Sequence, residues 1–148
     1  MTENEKTIDK EICFVANLIR RDVGKRIQSM GMDDERFTRM NGWIIEYLYD
    51  RRDSDVYQKD IEKEMMITRS TASKIIELMV QKGMIERTEV AYDARLKKLS
   101  LTDKAMERHA KIMEIGKMTY EKAMTGFSKE EEDILRGYIN RIKENMFK

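Results

Sequence analysis

The sequence predicts a mainly α chain with one small β-hairpin, and three observations carry that prediction. Proline is absent and glycine occurs only 7 times in 148 residues, so the usual helix breakers are scarce. Apolar residues recur at spacings of three and four near both ends of the chain, the period of one helix face. Past Gly83 the period changes, and two short runs read as paired strands. This length fits one compact domain, or one module whose flanking helices pair with a second copy, and leaves no room for a second independent domain. With 41% hydrophobic and 39% charged residues, the chain can bury a core beneath a strongly ionic surface.

The first helix carries Ile8, Ile12, Val15, Ala16, Ile19, Val23 and Ile27 on one stripe and ends near Gly31. A second runs from about Glu35 through Trp43, Ile44, Tyr47 and Leu48 to the polar turn at 50–55. A short third helix covers 59–65. Its start is either a capping pair of Asp55 with Gln58, or Tyr57 is the first capped position. Thr68 is placed to cap a fourth helix, whose Ile75, Leu78 and Met79 face inward and which Gly83 ends. Strands at 84–88 and 96–101 then flank a polar tip at 89–95. Thr102 caps the fifth helix, where Asp103 suits the N-terminal dipole and Met106, Ile112, Met113 and Tyr120 supply apolar positions before the helix frays near Gly126. Ser128 and Glu131 have the spacing of a capping box, opening a last helix striped by Ile134, Leu135, Tyr138, Ile139, Ile142 and Met146.

Two short helices joined by a tight turn and followed by a hairpin form a compact reader, because the second helix fits a DNA major groove about 12 Å wide. At its exposed start stand Arg69, Ser70, Thr71, Ser73 and Lys74, hydroxyls and cations suited to phosphates and base edges. The net charge is only +1, so the case for nucleic acid rests on where the cations sit. From Thr68 to Lys98, seven cations (69, 74, 82, 87, 95, 97, 98) face four acids (77, 86, 89, 93), so positive charge gathers at the reader. Taken singly, a Ser/Thr-rich helix start is most often a cap and a Lys-bearing strand a solvated edge. Their order along the chain is the stronger signal.

The stretches Gln58-Lys59-Asp60-Ile61, Thr68-Arg69-Ser70-Thr71-Ala72-Ser73, Glu77-Leu78-Met79, Lys82-Gly83-Met84-Ile85-Glu86-Arg87 and Asp93-Ala94-Arg95-Leu96-Lys97-Lys98-Leu99-Ser100-Leu101-Thr102 carry a resemblance to a known family. Over roughly residues 35–105 the chain resembles the multiple-antibiotic-resistance regulator (MarR) family. The resemblance implies a single MarR-type domain over 1–148, with a winged helix-turn-helix module at about 35–102 between N- and C-terminal dimerisation helices at about 5–31 and 103–148. It implies a sequence-specific DNA-binding transcriptional regulator, a repressor released when a small phenolic or lipophilic ligand enters the cleft between dimer helices and reading module. Arg69, Ser70, Thr71 and Lys74 would then lie in the major groove. Arg95 at the wing tip would enter the minor groove with Asp93 orienting it, and Lys59, Thr68, Ser73 and Lys97 complete the expected DNA-facing set. A narrow, electronegative minor groove attracts a guanidinium, and a neighbouring carboxylate holds its fork in place. Glu89, Val90, Ala91 and Tyr92 make this wing less basic than many.

One reading helix per chain favours a two-fold dimer on a pseudo-palindromic operator, with half-sites about 34–36 Å apart. Ile12, Ile19, Ile134, Leu135, Ile139 and Ile142 are expected to be buried mainly between chains. Trp43, Tyr47 and the methionines are candidates to line a ligand pocket, although such stripes are usually core. Cys13, the only cysteine, excludes an internal disulfide; the resemblance adds the alternative of an oxidant-sensing repressor through this thiol, although the sequence places no obvious activating cation beside it. His109 is the only histidine, so no metal-ligand spacing exists; it reads as a satisfied helix-face residue, and neither metal nor cofactor is expected. The absence of a Gly-rich phosphate loop or nucleophile elbow argues against an enzyme. A second alternative is a helical protein-interaction module that does not bind DNA. No apolar run is long enough for a signal peptide or membrane helix, and a reducing cytoplasm is the expected compartment.

Overall fold

A computed structural model describes residues 6–32 and 39–148. Its elements are α1 (Ile8–Ser29), α2 (Arg39–Asp50), α3 (Gln58–Met65), α4 (Arg69–Gln81), β1 (Ile85–Val90), β2 (Asp93–Leu101), α5 (Asp103–Ala123) and α6 (Lys129–Phe147). The expected start of the second helix near Glu35 lies outside the described residues.

Short-range hydrogen bonding sets most of these boundaries. Thr68, Thr102 and Ser128 each accept a backbone N–H three residues on, from Thr71, Ala105 and Glu131, satisfying donors that a helix start leaves open. Glu131 returns the bond to the Ser128 N–H, completing the capping box. At α3 the cap falls on Tyr57, whose N–H donates to the Asp60 carboxylate at 2.9 Å. Gly83 adopts φ +71°, letting Met84 N–H reach the Met79 carbonyl and close α4. The turn from α3 into α4 is made by Met66, which takes a left-handed φ of 55°.

The hairpin pairs antiparallel from Ile85 opposite Leu101 to Glu89 opposite Lys97, and a register shift follows at Glu89/Val90. Both strands therefore run further than expected, and the tip is not the whole of 89–95 but the turn at Ala91 and Tyr92. A bulge breaks the alternation on which strand recognition depends, which hid the outer pairs. The inner edge of β2 is also covered, since Leu99 N–H donates to the Val56 carbonyl at 2.8 Å.

One apolar cluster joins the elements. Ile44, Ile45, Ile61, Ile76, Met79, Met84 and Ile85 are its largest fully buried side chains, each stabilising by about 1.5–3 kcal/mol relative to exposure. From α1 only Val23 and Ile27 are buried, and α5 buries Ala105, Ile112, Ile115 and Thr119 while Met106, Met113 and Tyr120 stay exposed. The inward face of α5 is therefore rotated from the expected one. Ile76, and not only Ile75, Leu78 and Met79, anchors α4.

Candidate nucleic-acid interface

The packing of α4 determines what it presents. Ala72, Ile76 and Met79 hold one face against the core, and the opposite face exposes Arg69, Ser70, Thr71, Ser73 and Lys74. At 3.6 residues per turn, positions 69 and 73 and positions 70 and 74 are neighbours, so these side chains form one contiguous polar surface on the first two turns. Thr68, also exposed, donates its hydroxyl to Thr71 Oγ1 at 2.9 Å. Gln58 Nε2 donates to the Arg69 carbonyl at 3.4 Å, joining the start of α3 to the start of α4. Lys59 is exposed one position further along α3.

On the hairpin, Asp93 Oδ1 accepts from the Arg95 backbone N–H at 2.9 Å and from its Nε at 3.3 Å. The Arg95 side chain nevertheless remains 91% exposed, so its position is biased while its remaining donors face solvent. By the strand period of two, Lys97 lies on the same side as Arg95, and it is exposed as well.

Three contacts that bind this hairpin to the helices are not visible in the sequence. Arg87 on β1 pairs with Glu77 on α4, and this guanidinium holds the Glu77 carboxyl below its ordinary pKa. Lys98 on β2 pairs with Asp55 at 3.1 Å. The Tyr57 and Tyr92 hydroxyls lie 2.8 Å apart, linking the start of α3 to the wing tip, and that bond pushes the Tyr57 phenol up to about 12. Arg87 and Lys98, counted toward a reading surface, thus pair with carboxylates on other elements, whereas Arg69, Lys74, Arg95 and Lys97 are exposed there.

Away from this surface, the terminal helices are apolar and open. No residue of α6 is buried within the chain. Ile12, Ile19, Leu135, Ile139 and Ile142 line a broad groove between α1 and α6, whereas Ile134, 56% exposed, lies outside that lining. In the same lining Asp22 joins α1 to α5, accepting from Arg26 at 2.8 Å, Lys122 at 3.0 Å and Thr119 at 2.9 Å. A separate cavity of about 300 Å³ lies among α1, α2 and α5, lined by Val23, Ile27, Arg39, Trp43, Lys117 and Tyr120 among others. Tyr47 does not line it. Cys13 is exposed on α1.

His109 departs from the expected satisfied residue. Its ring stacks on Tyr49 with centroids 3.6 Å apart, and its buried Nε2 has no hydrogen-bond partner among the described residues. Among the described residues no helix is long and apolar enough to cross a membrane.

A short helix, a tight turn, a helix exposing its polar first turns and a braced hairpin make this a winged helix-turn-helix protein. Residues 37–96 match the model of the MarR family. The uncharacterized HTH-type transcriptional regulator YybA of Bacillus subtilis (strain 168) is 24% identical over 91 residues, 62% of this chain and 61% of its own, so the match spans less than two thirds of that relative. S. aureus MepR, solved as a DNA complex, superposes with a TM-score of 0.84 at 19% identity over 95% of this chain and 99% of its own. The transcription regulator MarR from Oenococcus oeni PSU-1 superposes with a TM-score of 0.76 at 25% identity, over 93% and 99% of the two chains.

Proposed function

We propose that this chain is a MarR-family regulator that binds a pseudo-palindromic DNA operator as a cytoplasmic homodimer and represses transcription until a small ligand releases it. The observation that carries the reading is the placement of Arg69, Ser70, Thr71, Ser73 and Lys74 on one exposed face of α4, beside a wing whose Arg95 is oriented by Asp93. The face suits a major groove, and the projecting guanidinium suits the adjacent minor groove. Lys59, Thr68 and Lys97 add exposed donors at its margin. The MepR complex with DNA supports the same role for this fold.

The dimer follows from what the single chain leaves uncovered. Ile12, Ile19, Ile134, Leu135, Ile139 and Ile142 are exposed or half-buried on α1 and α6, and a second copy packed there would remove them from water. In this reading residues 35–102 form the DNA-reading module and 5–31 and 103–148 the dimerisation helices of one MarR-type domain.

For the ligand, the cavity among α1, α2 and α5 supplies the supporting feature. Arg39 Nη1 is buried there without a hydrogen-bond partner among the described residues, its guanidinium lies 5.4 Å from the Trp43 ring, and burial lowers its pKa. An aromatic or lipophilic anion would pair with that charge and stack against that ring.

The test is a mobility shift on the intergenic DNA beside the gene, at low ionic strength. Arg69→Glu with Arg95→Glu removes binding while the protein stays folded and dimeric. Binding that survives this double reversal removes Arg69 and Arg95 from the DNA contacts, and a wild-type protein that shifts no duplex eliminates the DNA reading in favour of a protein-interaction module.

A further inference from the structure

The wing tip is tied to the helix-turn-helix by a contact 35 residues apart in sequence. Tyr92 occupies the turn of the hairpin and is 74% exposed, yet its hydroxyl meets that of Tyr57 at 2.8 Å. Tyr57 is itself immobilised: its N–H donates to Asp60, its carbonyl accepts from Asp60 and Ile61 N–H as α3 begins, and the Val56 carbonyl before it accepts from Leu99 of β2. On the other side, Tyr92 immediately precedes Asp93, the residue that holds Arg95. A two-stranded hairpin alone is a flexible ribbon, and this one has its bulge just below the tip, at Glu89/Val90. The Lys98–Asp55 and Arg87–Glu77 pairs brace the strands below that bulge. Above it, the Tyr57–Tyr92 bond joins the tip to the start of α3.

We infer that Tyr57 and Tyr92 are positioning residues for minor-groove reading: their hydroxyl pair sets the pitch of the wing tip, and thereby where Asp93 delivers the Arg95 guanidinium relative to α4. Neither phenol is required to touch DNA. The inference rests on the DNA-reading function proposed above and adds the device that couples its two reading elements. A wing pinned in this way carries Arg95 at a fixed offset from Arg69 and Lys74, so the spacing between major-groove and minor-groove contacts becomes part of the specificity. Loss of the pair frees the tip and lowers the share of molecules holding Arg95 ready to bind.

The probe is the duplex that the full-length wild-type protein enriches from a randomised pool long enough for two half-sites. Tyr57→Phe, Tyr92→Phe and the double variant each remove the hydroxyl pair and leave both rings. Each should weaken binding by the same factor, roughly three- to tenfold, because losing either partner loses the one bond. In an Arg95→Ala background the same substitutions should change nothing. Hydroxyl-radical protection, read in the minor groove at the outer flanks, should fade, while protection of guanine N7 from methylation in the major groove stays. Equal loss of both protections, or losses that add to that of Arg95→Ala, overturns the positioning role. If the wild type enriches no duplex, the DNA-reading function fails together with this inference; enrichment with an additive cycle removes the inference alone.

Discussion

Thr119 donates its hydroxyl to Asp22 at 2.9 Å across 97 positions of sequence, and Arg26 and Lys122 converge on the same carboxylate. The Asp22 side chain is only 16% exposed, so α1 is pinned to α5 by a carboxylate that is largely withdrawn from water and fully provided with donors. The Arg26 hydrogen bond first, then those of Lys122 and Thr119, hold its carboxyl well below the usual carboxylate range.

A depressed folded pKa fixes the sign of the pH effect. The stabilisation is present above the unfolded carboxylate value of about 3.9 and is lost as pH falls below it toward the folded value. Asp22→Ala should therefore lower stability by about 1–2 kcal/mol at neutral pH, with the difference from wild type shrinking in acid. Denaturant unfolding at a series of pH values measures both; a pH-independent difference would show that the charge of Asp22 contributes nothing.

Substitution of Ile139 and Ile142 by Asp should produce monomers without unfolding the chain, since these side chains are 42% and 37% exposed and leave the core untouched. Light scattering reads the mass and circular dichroism the helix content. Dimers that persist in the double variant would place the interface elsewhere.

Thr102 reaches further than Thr68. Both cap a helix and donate their hydroxyls, but Thr68 gives its to Thr71 within the same first turn, whereas Thr102 gives its to the Gly83 carbonyl at the end of α4. Thr102→Ala should cost about 2 kcal/mol against about 1 kcal/mol for Thr68→Ala, with Thr102→Ser recovering most of the loss. Equal costs in chemical denaturation would mean that the bond to Gly83 adds no stability.

Lys97→Ala should weaken DNA binding uniformly across sequences. A dimer holds two copies, so the slope of log K against log salt should become shallower by about 2. An unchanged slope in a salt titration would remove Lys97 from the phosphate contacts.

Gly83 and Gly24 separate two uses of glycine. A Cβ at either meets nothing within 4 Å, but Gly83 sits at φ +71° and Gly24 lies within α1. Gly83→Ala should lose roughly 1–2 kcal/mol through backbone conformation alone, while Gly24→Ala should gain about 0.5–1 kcal/mol. Destabilisation by Gly24→Ala, seen as a lower Tm, would mean that atoms of a second copy occupy that space.

The parts of the fold legible in the sequence are those decided within a few residues. The caps at Thr68, Thr102 and Ser128 and the helix stop at Gly83 depend on bonds spanning three to five positions, and the structure has each where the residue types suggest. Apolar spacing marks a helix face without naming its neighbour. The single stripe read on α1 is divided between Val23 and Ile27, which enter the core, and Ile8, Ile12 and Val15, which remain open. The exposed start of α4 could be read from its Thr/Ser/Arg composition, but the Tyr57–Tyr92 and Asp22–Thr119 bonds join residues 35 and 97 positions apart and leave no local trace. Counting charges likewise overstated the free cations, because Arg87 and Lys98 find carboxylates on other elements.

The junction at Thr102 makes α5 a lever with its fulcrum against the end of α4. Its 21 residues span about 31 Å at 1.5 Å each, so every degree of tilt about that point swings the far end by about 0.5 Å. Asp22 grips the arm through Thr119 and Lys122 near its tip. A ten-degree pivot would therefore carry the part of α1 held by Asp22 sideways by about 5 Å, close to one helical pitch, and in the proposed dimer the distance between paired reading heads would follow the angle of a single rod.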